Sequence, residues 1–241
     1  PLAAEDILEH VRLHHVAAVG EARVYERQYR TQTVEHAYLE TETVLAIPEF
    51  EHLRIIASAQ YPFSVRKAVC EAVGLPFSQV SVIQPAVGGT FGGKEESAGL
   101  LCARAALLAQ AAGKPVKMVC SREESILISS KRHPFRIDYR VGVDEEGNIL
   151  RWDSDLVDDL GAYNARARNM NWRASVHAAG PYRALAWDTR VRGAFTNNLL
   201  SGAMRGYSSP QIIFAHESLI DEIAQDLGKD FIEYRKQICL K

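Results

Sequence analysis

The stretch that most limits what this chain can be is Pro85-Ala-Val-Gly-Gly-Thr-Phe-Gly-Gly-Lys-Glu-Glu96. Four glycines, Gly88, Gly89, Gly92 and Gly93, surround a single aromatic residue, Phe91. A β-like run, Val80 to Ile83, leads into it and an alanine-rich helical pattern leads out. Glycine lets a backbone turn tightly and lets a ligand approach bare N–H groups. A helix that begins just beyond adds its own unpaired N–H groups and the positive end of its dipole. Strand, glycine loop and helix start together form a place suited to something anionic or rich in oxygen.

The residues alone leave more than one reading open. Gly88 to Lys94 fits G-x-x-x-x-G-K, the phosphate loop of nucleotide-binding proteins. Glu95, however, stands where that loop needs Ser or Thr to hold magnesium. A structural turn between strand and helix is the plain alternative.

Composition narrows the classes. The chain has 241 residues, 47% hydrophobic and 24% charged, with a formal net charge of −2. That is an ordinary soluble balance, with length enough for one large domain or two small ones. A near-neutral charge leaves no nucleic-acid footprint. No apolar run reaches the length of a membrane span, and no signal peptide opens the chain, so a cytoplasmic protein is expected. Pro1 at one end and Lys241 at the other suggest a fragment or a processed chain. Cys70, Cys102, Cys120 and Cys239 show no zinc or iron–sulfur spacing and read as free thiols of a reducing compartment.

Periodicity gives a coarse order of elements. Ala3 to Leu13 reads as an amphipathic helix. Strand-like runs follow from His15 to Ala46 and from Leu53 to Ala59, then a helix from Ser64, as N-cap, to Ala72, stopped by Gly74. Val80 to Gln84, Glu95 to Ala112 and Val116 to Cys120 read as a strand–helix–strand crossover. Ser121-Arg-Glu-Glu124 is a capping box. Phe135–Val143 and Ile149–Val157 form a hairpin, Ala165–Ala178 a helix and Arg183–Thr196 a strand. Two helices, Gln211–Leu227 and Phe231–Leu240, close the chain. The mixture predicts an α+β or mixed α/β fold with helices packed on mixed sheets, and possible subdomains at 1–120 and 121–241.

Three motifs then take on a joint meaning. Gly88-Gly-Thr-Phe-Gly-Gly-Lys-Glu95 resembles the G-G-x-F-G-G-K-E loop of the xanthine dehydrogenase/aldehyde oxidase family of molybdenum hydroxylases. Glu35-His-Ala-Tyr-Leu-Glu40 is similar to that family's E-H-x-Y-L-E strand, and Gly202-Ala-Met-Arg-Gly-Tyr-Ser-Ser-Pro-Gln211 to its A-F-R-G-F-x-x-P-Q segment. The three occur in the family's order.

The resemblance implies a molybdopterin-binding domain, here the first part of one, in an oxidoreductase that hydroxylates with water as oxygen source. It implies cofactor contacts at Gln60, Gly89, Phe91, Gly92 and Arg205. It implies that Glu95 and Arg173 orient a purine-like N-heterocycle and that Tyr207 stacks on its ring. No protein side chain is expected to ligate the metal, so His36, His133 and His177 read as core or surface histidines. The expected partners are the remainder of the molybdenum subunit and iron–sulfur and flavin domains or chains carrying 2Fe–2S and FAD, in an oligomeric complex without nucleic acid or membrane. Alone, the fragment is expected to be inactive. Met204 and Tyr207 depart from the family's usual aromatic and phenylalanine, which bears on substrate and not on cofactor. A P-loop nucleotide-binding protein and a non-catalytic docking fragment remain the alternatives.

Overall fold

The computed structural model describes residues 7–15 and 17–240. In chain order these form strands β1 (Ile7–His15), β2 (Arg23–Arg30), β3 (Thr43–Glu49) and β4 (His52–Ala57), then helix α1 (Pro62–Val73) and strand β5 (Val80–Ile83). Helix α2 (Ser97–Ala112), strand β6 (Val116–Val119), helix α3 (Arg122–Ile128) and strands β7 (Lys131–Arg132), β8 (Phe135–Val143) and β9 (Ile149–Gly161) follow. Helix α4 (Ala167–His177), strands β10 (Ala186–Phe195) and β11 (Ser201–Gly202), and helices α5 (Ser209–Asp226) and α6 (Phe231–Ile238) complete the chain. The fold is the mixed α/β arrangement of mixed sheets and packed helices that the sequence predicts.

Two compact units divide these elements: a loop unit of Val34–Arg132 with Gly202–Arg205, and a first unit of Pro1–Thr33, His133–Ser201 and Gly206–Lys241. The boundary differs from a cut at 120/121 because the first unit draws strands from both ends of the chain. Its sheet runs β1-β10-β9-β8-β2. Arg23–Arg30 pairs antiparallel with β8, and β1 pairs antiparallel with β10. The helix expected over Ala3–Leu13 is therefore a strand from Ile7 onward; residues 3–6 lie outside the described part. Pairing with β10 overrides the local helical period, as tertiary context often does in strands.

In the first unit β9 and β10 are parallel neighbours joined by α4. One face of the sheet alternates Ile137, Tyr139, Val141 from β8 with Trp152 and Leu156 from β9, all buried against Ile212, Leu219, Ile220 and Ile223 of α5 and Tyr234 of α6. The predicted hairpin is β8–β9. The other face is charged, and an open groove of about 600 Å³ there is lined by Glu26, Asp138, Arg140, Arg151, Asp153 and Arg190 among others. None of the candidate site residues borders it.

In the loop unit the sheet order is β5-β4-β3-β6. Its strands bury Val44, Ala46, Leu53 and Ile55 against Val65 and Val69 of α1 and Leu101, Ala105 and Ala109 of α2. The small residues of α2 let the helix lie close to the sheet. Two expectations change here. Helix α1 starts at Pro62 rather than after Ser64, with Tyr61 as N-cap; proline suits the first helical turn because its missing N–H is not needed there. Strands β5 and β6 lie at opposite edges with β4 and β3 between them, so α2 carries the chain across the whole sheet. The capping box at Ser121 and Glu124 is present in full, as are the left-handed stops at Gly74 and Gly113. Cys70, Cys102, Cys120 and Cys239 are all free thiols. No helix among the described residues is long and apolar enough to cross a membrane.

Candidate cofactor cradle

Within the loop unit the glycine loop, the Glu35–Glu40 motif and Gly202–Arg205 of the third motif meet at one turn. Glu35–Glu40, expected as a strand, is irregular chain between β2 and β3, its side chains turned to bracing rather than to a sheet. Residues 91–96 are a run of turns, and α2 starts only at Ser97. Glu95 is thus not a first-turn helix carboxylate. Gly89 and Gly92 have φ of +104° and +105°, and Phe91 itself has φ +50°. A non-glycine residue held there costs roughly 1–3 kcal/mol and persists only where its surroundings impose it. Phe91 keeps 48% of its surface exposed while Gly92, Gly93, Lys94 and Glu95 around it are buried.

The surroundings are the other two motifs. A Cβ on Gly92 would lie 2.5 Å from the carbonyl oxygen of Ala203, so Gly202–Arg205 is a wall against which only glycine fits. The Arg205 N–H donates to the Phe91 carbonyl at 2.8 Å, and Arg132 donates to the Arg205 carbonyl at 2.8 Å. The Arg205 side chain is exposed. From the first motif, His36 sits beneath Gly93, where a Cβ would come within 2.8 Å of its ring. Its Nε2 donates to the Ala203 carbonyl at 2.7 Å, which fixes the tautomer and leaves Nδ1 buried without a partner. Burial holds the His36 pKa below the ordinary histidine value. Tyr38 lies under Gly89 and Gly93, and its hydroxyl donates to Glu42.

Gln60 ties the cradle together. In the link between β4 and α1, its side-chain oxygen accepts from the Gly92 N–H at 3.1 Å, and its amide nitrogen donates to Glu95 at 3.1 Å. Its own N–H donates to the Lys94 carbonyl. A side-chain amide carries two N–H donors; one goes to Glu95, and the second remains for a ligand oxygen. Glu95 is only 4% exposed. These features fit an oxygen-rich organic cofactor: a glycine turn that a Cβ would fill, an aromatic ring held outward beside it, and one fixed amide donor. Gln60, Gly89, Phe91, Gly92, Glu95 and Arg205 all belong to this one unit.

Arg173 and Tyr207 belong to the first unit. Arg173 is exposed on α4, where its Nε donates to the Ser209 hydroxyl at 2.9 Å and its guanidinium lies 5.9 Å from the Tyr207 ring centroid. Tyr207 has φ +57°, and the adjacent Ser208 donates to the Met170 carbonyl at 2.9 Å, holding this turn on α4.

Lys94 is fully buried: its Nζ donates to Ser58 Oγ at 2.7 Å and to Glu40 at 3.2 Å, above the Tyr38 ring. A phosphate loop needs that ammonium facing its ligand, so the nucleotide-binding alternative loses its lysine. Sequence reasoning missed the bracing roles of His36, Tyr38, Glu40, Lys94 and Arg132; the first motif was the signal, but nothing in the sequence says what its side chains touch. Among the described residues no cluster of three His, Cys, Asp or Glu side chains could hold a metal ion. His133 is buried and paired to Asp158 at 2.7 Å.

Residues 5–238 match the molybdopterin cofactor-binding domain family. The xanthine dehydrogenase molybdenum-binding subunit of Escherichia coli O157:H7 is 36% identical over 208 residues, covering 86% of this chain and 28% of its own length. The nicotinate dehydrogenase large molybdopterin subunit of Eubacterium barkeri is 36% identical over 213 residues, covering 88% of this chain and 50% of its own. The aldehyde oxidoreductase of Desulfovibrio gigas superposes with a TM-score of 0.89 at 22% identity, over 98% of this chain and 26% of that one; at that identity the likeness speaks for the fold. The chain thus spans half or less of the length of these proteins. With a family match over nearly its whole length, the chain belongs to the molybdopterin cofactor-binding domain family.

Proposed function

We propose that this chain forms the cofactor-contacting part of a molybdenum oxidoreductase that hydroxylates an N-heterocycle with water as the oxygen source. The observation that carries the reading is the Gln60 side chain, which joins the Gly92 N–H of the cradle to the Glu95 carboxylate. The group meant for cofactor oxygen and the group meant for substrate are thereby fixed to one another. Two relatives at 36% identity bear the names of xanthine and nicotinate dehydrogenases, and both substrates are N-heterocycles.

When bound, the molybdenum cofactor supplies the two-electron oxidation of a ring carbon. The residues of the chain do the holding and aiming. Gly89, Phe91, Gly92 and Arg205 shape the wall against the cofactor, and Gln60 gives its remaining N–H to a cofactor oxygen. Glu95 accepts or shares a hydrogen bond with a polar ring edge and so fixes orientation. Arg173 offers a cation to negative charge that grows on the substrate, and Tyr207 lends its ring for stacking. An aldehyde presents no second polar edge to these groups. The remaining cofactor contacts, the iron–sulfur and flavin centres and the catalytic base are assigned to other parts of a cytoplasmic complex, the chain alone being inactive; the four free thiols suit that compartment.

The test uses the holoenzyme. Glu95→Ala and Arg173→Met are each expected to lower kcat/KM for an oxo-substituted N-heterocycle by about 10²-fold. Molybdenum content and turnover of a simple aromatic aldehyde should hold. A parallel loss of both activities and of metal would reduce these two residues to structural parts.

A further inference from the structure

Beneath the glycine turn lies a charged cluster that the function above does not use. One oxygen of Glu40, Oε2, accepts from three donors: the Gly88 N–H at 2.7 Å, Ser58 Oγ at 2.8 Å and Lys94 Nζ at 3.2 Å. The contact with Gly88 is reciprocal, because the Glu40 N–H donates to the Gly88 carbonyl at 3.2 Å. A Cβ on Gly88 would sit 2.6 Å from that of Glu40, so the two backbones are pressed together. Lys94, from the far end of the same turn, completes the ring, with its Nζ 4.6 Å from the centre of the Tyr38 ring. Tyr38 in turn floors Gly89 and Gly93.

We propose that Glu40 and Lys94 are positioning residues for the cofactor: half-buried Glu40 holds the entry of the glycine turn through the Gly88 N–H, and enclosed Lys94 is its counter-charge from the exit, so the ion pair clamps both ends of the turn. This rests on the cradle reading above. Lys94 cannot serve as an anion ligand, being wholly enclosed, and its burial lowers its pKa. Glu40 is held below the ordinary carboxylate range because Gly88, Ser58 and Lys94 together outweigh the opposing effect of burial. Lys94 left without its partner would be a costly enclosed charge, whereas a neutral pair of similar volume need not be.

That last point supplies the test. Two double variants of the holoenzyme both remove the ion pair. Glu40→Gln with Lys94→Met keeps an acceptor oxygen for the Gly88 N–H; Glu40→Met with Lys94→Met does not. The readouts are molybdenum and pterin per protomer, together with the thermal midpoint. The clamp predicts similar midpoints, but at least about fivefold less cofactor in the second variant than in the first, the usual worth of one hydrogen bond. Ser58→Ala, which removes a donor without stranding a charge, should lower loading by a smaller factor and serves if a double variant fails to fold. Equal loading in both doubles, or normal loading in Ser58→Ala where a double fails to fold, would overturn the clamp. Loading that simply follows the midpoint across the set would also overturn it, because the pair would then only stabilise the fold. Wild-type protein without molybdenum or pterin would overturn the cradle reading itself, and so separates the two failures.

Discussion

The two units hold their candidate residues by different means. In the first unit Arg173 stands on a regular helix whose Met170 and Ala174 are buried, so the helix aims the side chain and apolar volume fixes the helix. In the loop unit Gln60, Phe91 and Glu95 lie in turns or links, and single hydrogen bonds hold the turn they share: Gln60 to Gly92 and Glu95, Glu40 to Gly88, and the Arg205 N–H to Phe91, with His36 tied to Ala203 beneath. The cores match this division. The first unit buries Trp152, Tyr139 and Tyr234 among leucines and isoleucines; the loop unit buries a sheet against an alanine-rich helix. Volume tolerates small errors in any one contact, whereas a turn braced by single hydrogen bonds does not.

This comparison can be broken, beginning with its largest effect. Trp152→Ala should cost about 3–5 kcal/mol, because a fully enclosed indole leaves a cavity; thermal denaturation measures it, and a loss below 1 kcal/mol would mean that the first unit is not governed by volume. Next comes a pair of glycines. Gly92→Ala meets the Ala203 carbonyl and a φ of +105°, and should cost about 3 kcal/mol together with most of the bound molybdenum. Gly113→Ala has φ +60° with nothing within 4 Å, so its cost should be nearer 1 kcal/mol, with metal content unchanged. Equal effects would mean that the turn has no special shape to protect.

The smallest effect concerns pH. His36 is held neutral by burial, with its folded pKa below the unfolded one. Its contribution is therefore complete above about pH 6.5 and is lost as the pH falls through that value towards the folded pKa. His36→Gln retains an N–H for the Ala203 carbonyl and has no proton to gain. Its thermal midpoint should fall less steeply than that of the wild type as the pH drops below about 6.5. Identical slopes would remove His36 from the set of braces.

Much of this was legible in the sequence where signals are local. The capping box at Ser121, the β8–β9 hairpin and the glycine stops depend on residues close to one another, and they stand where expected. The three motifs announced the cradle through their residue types. What could not be read was partnership. Lys94 matched a phosphate-loop lysine letter for letter, and only the position of Glu40, far away in sequence, shows that it faces inward. The strand at Ile7–His15 carried a helical period, and only β10 shows why it is extended. Arg173 was identified by resemblance, and its contact with Ser209 depends on a turn that no spacing rule describes.

The interleaving of the two units also sets a schedule for the chain as it leaves the ribosome. Nearly all of the loop unit is one continuous stretch, Val34–Arg132, and can condense on local contacts. Its last wall, Gly202–Arg205, is synthesised only after β8, β9, α4 and β10, and β1 must wait as long for β10. The glycine turn is therefore the last part of its unit to be walled in. Growing chains pass through an interval in which sheet and helices exist but the turn still stands open along its Ala203 side.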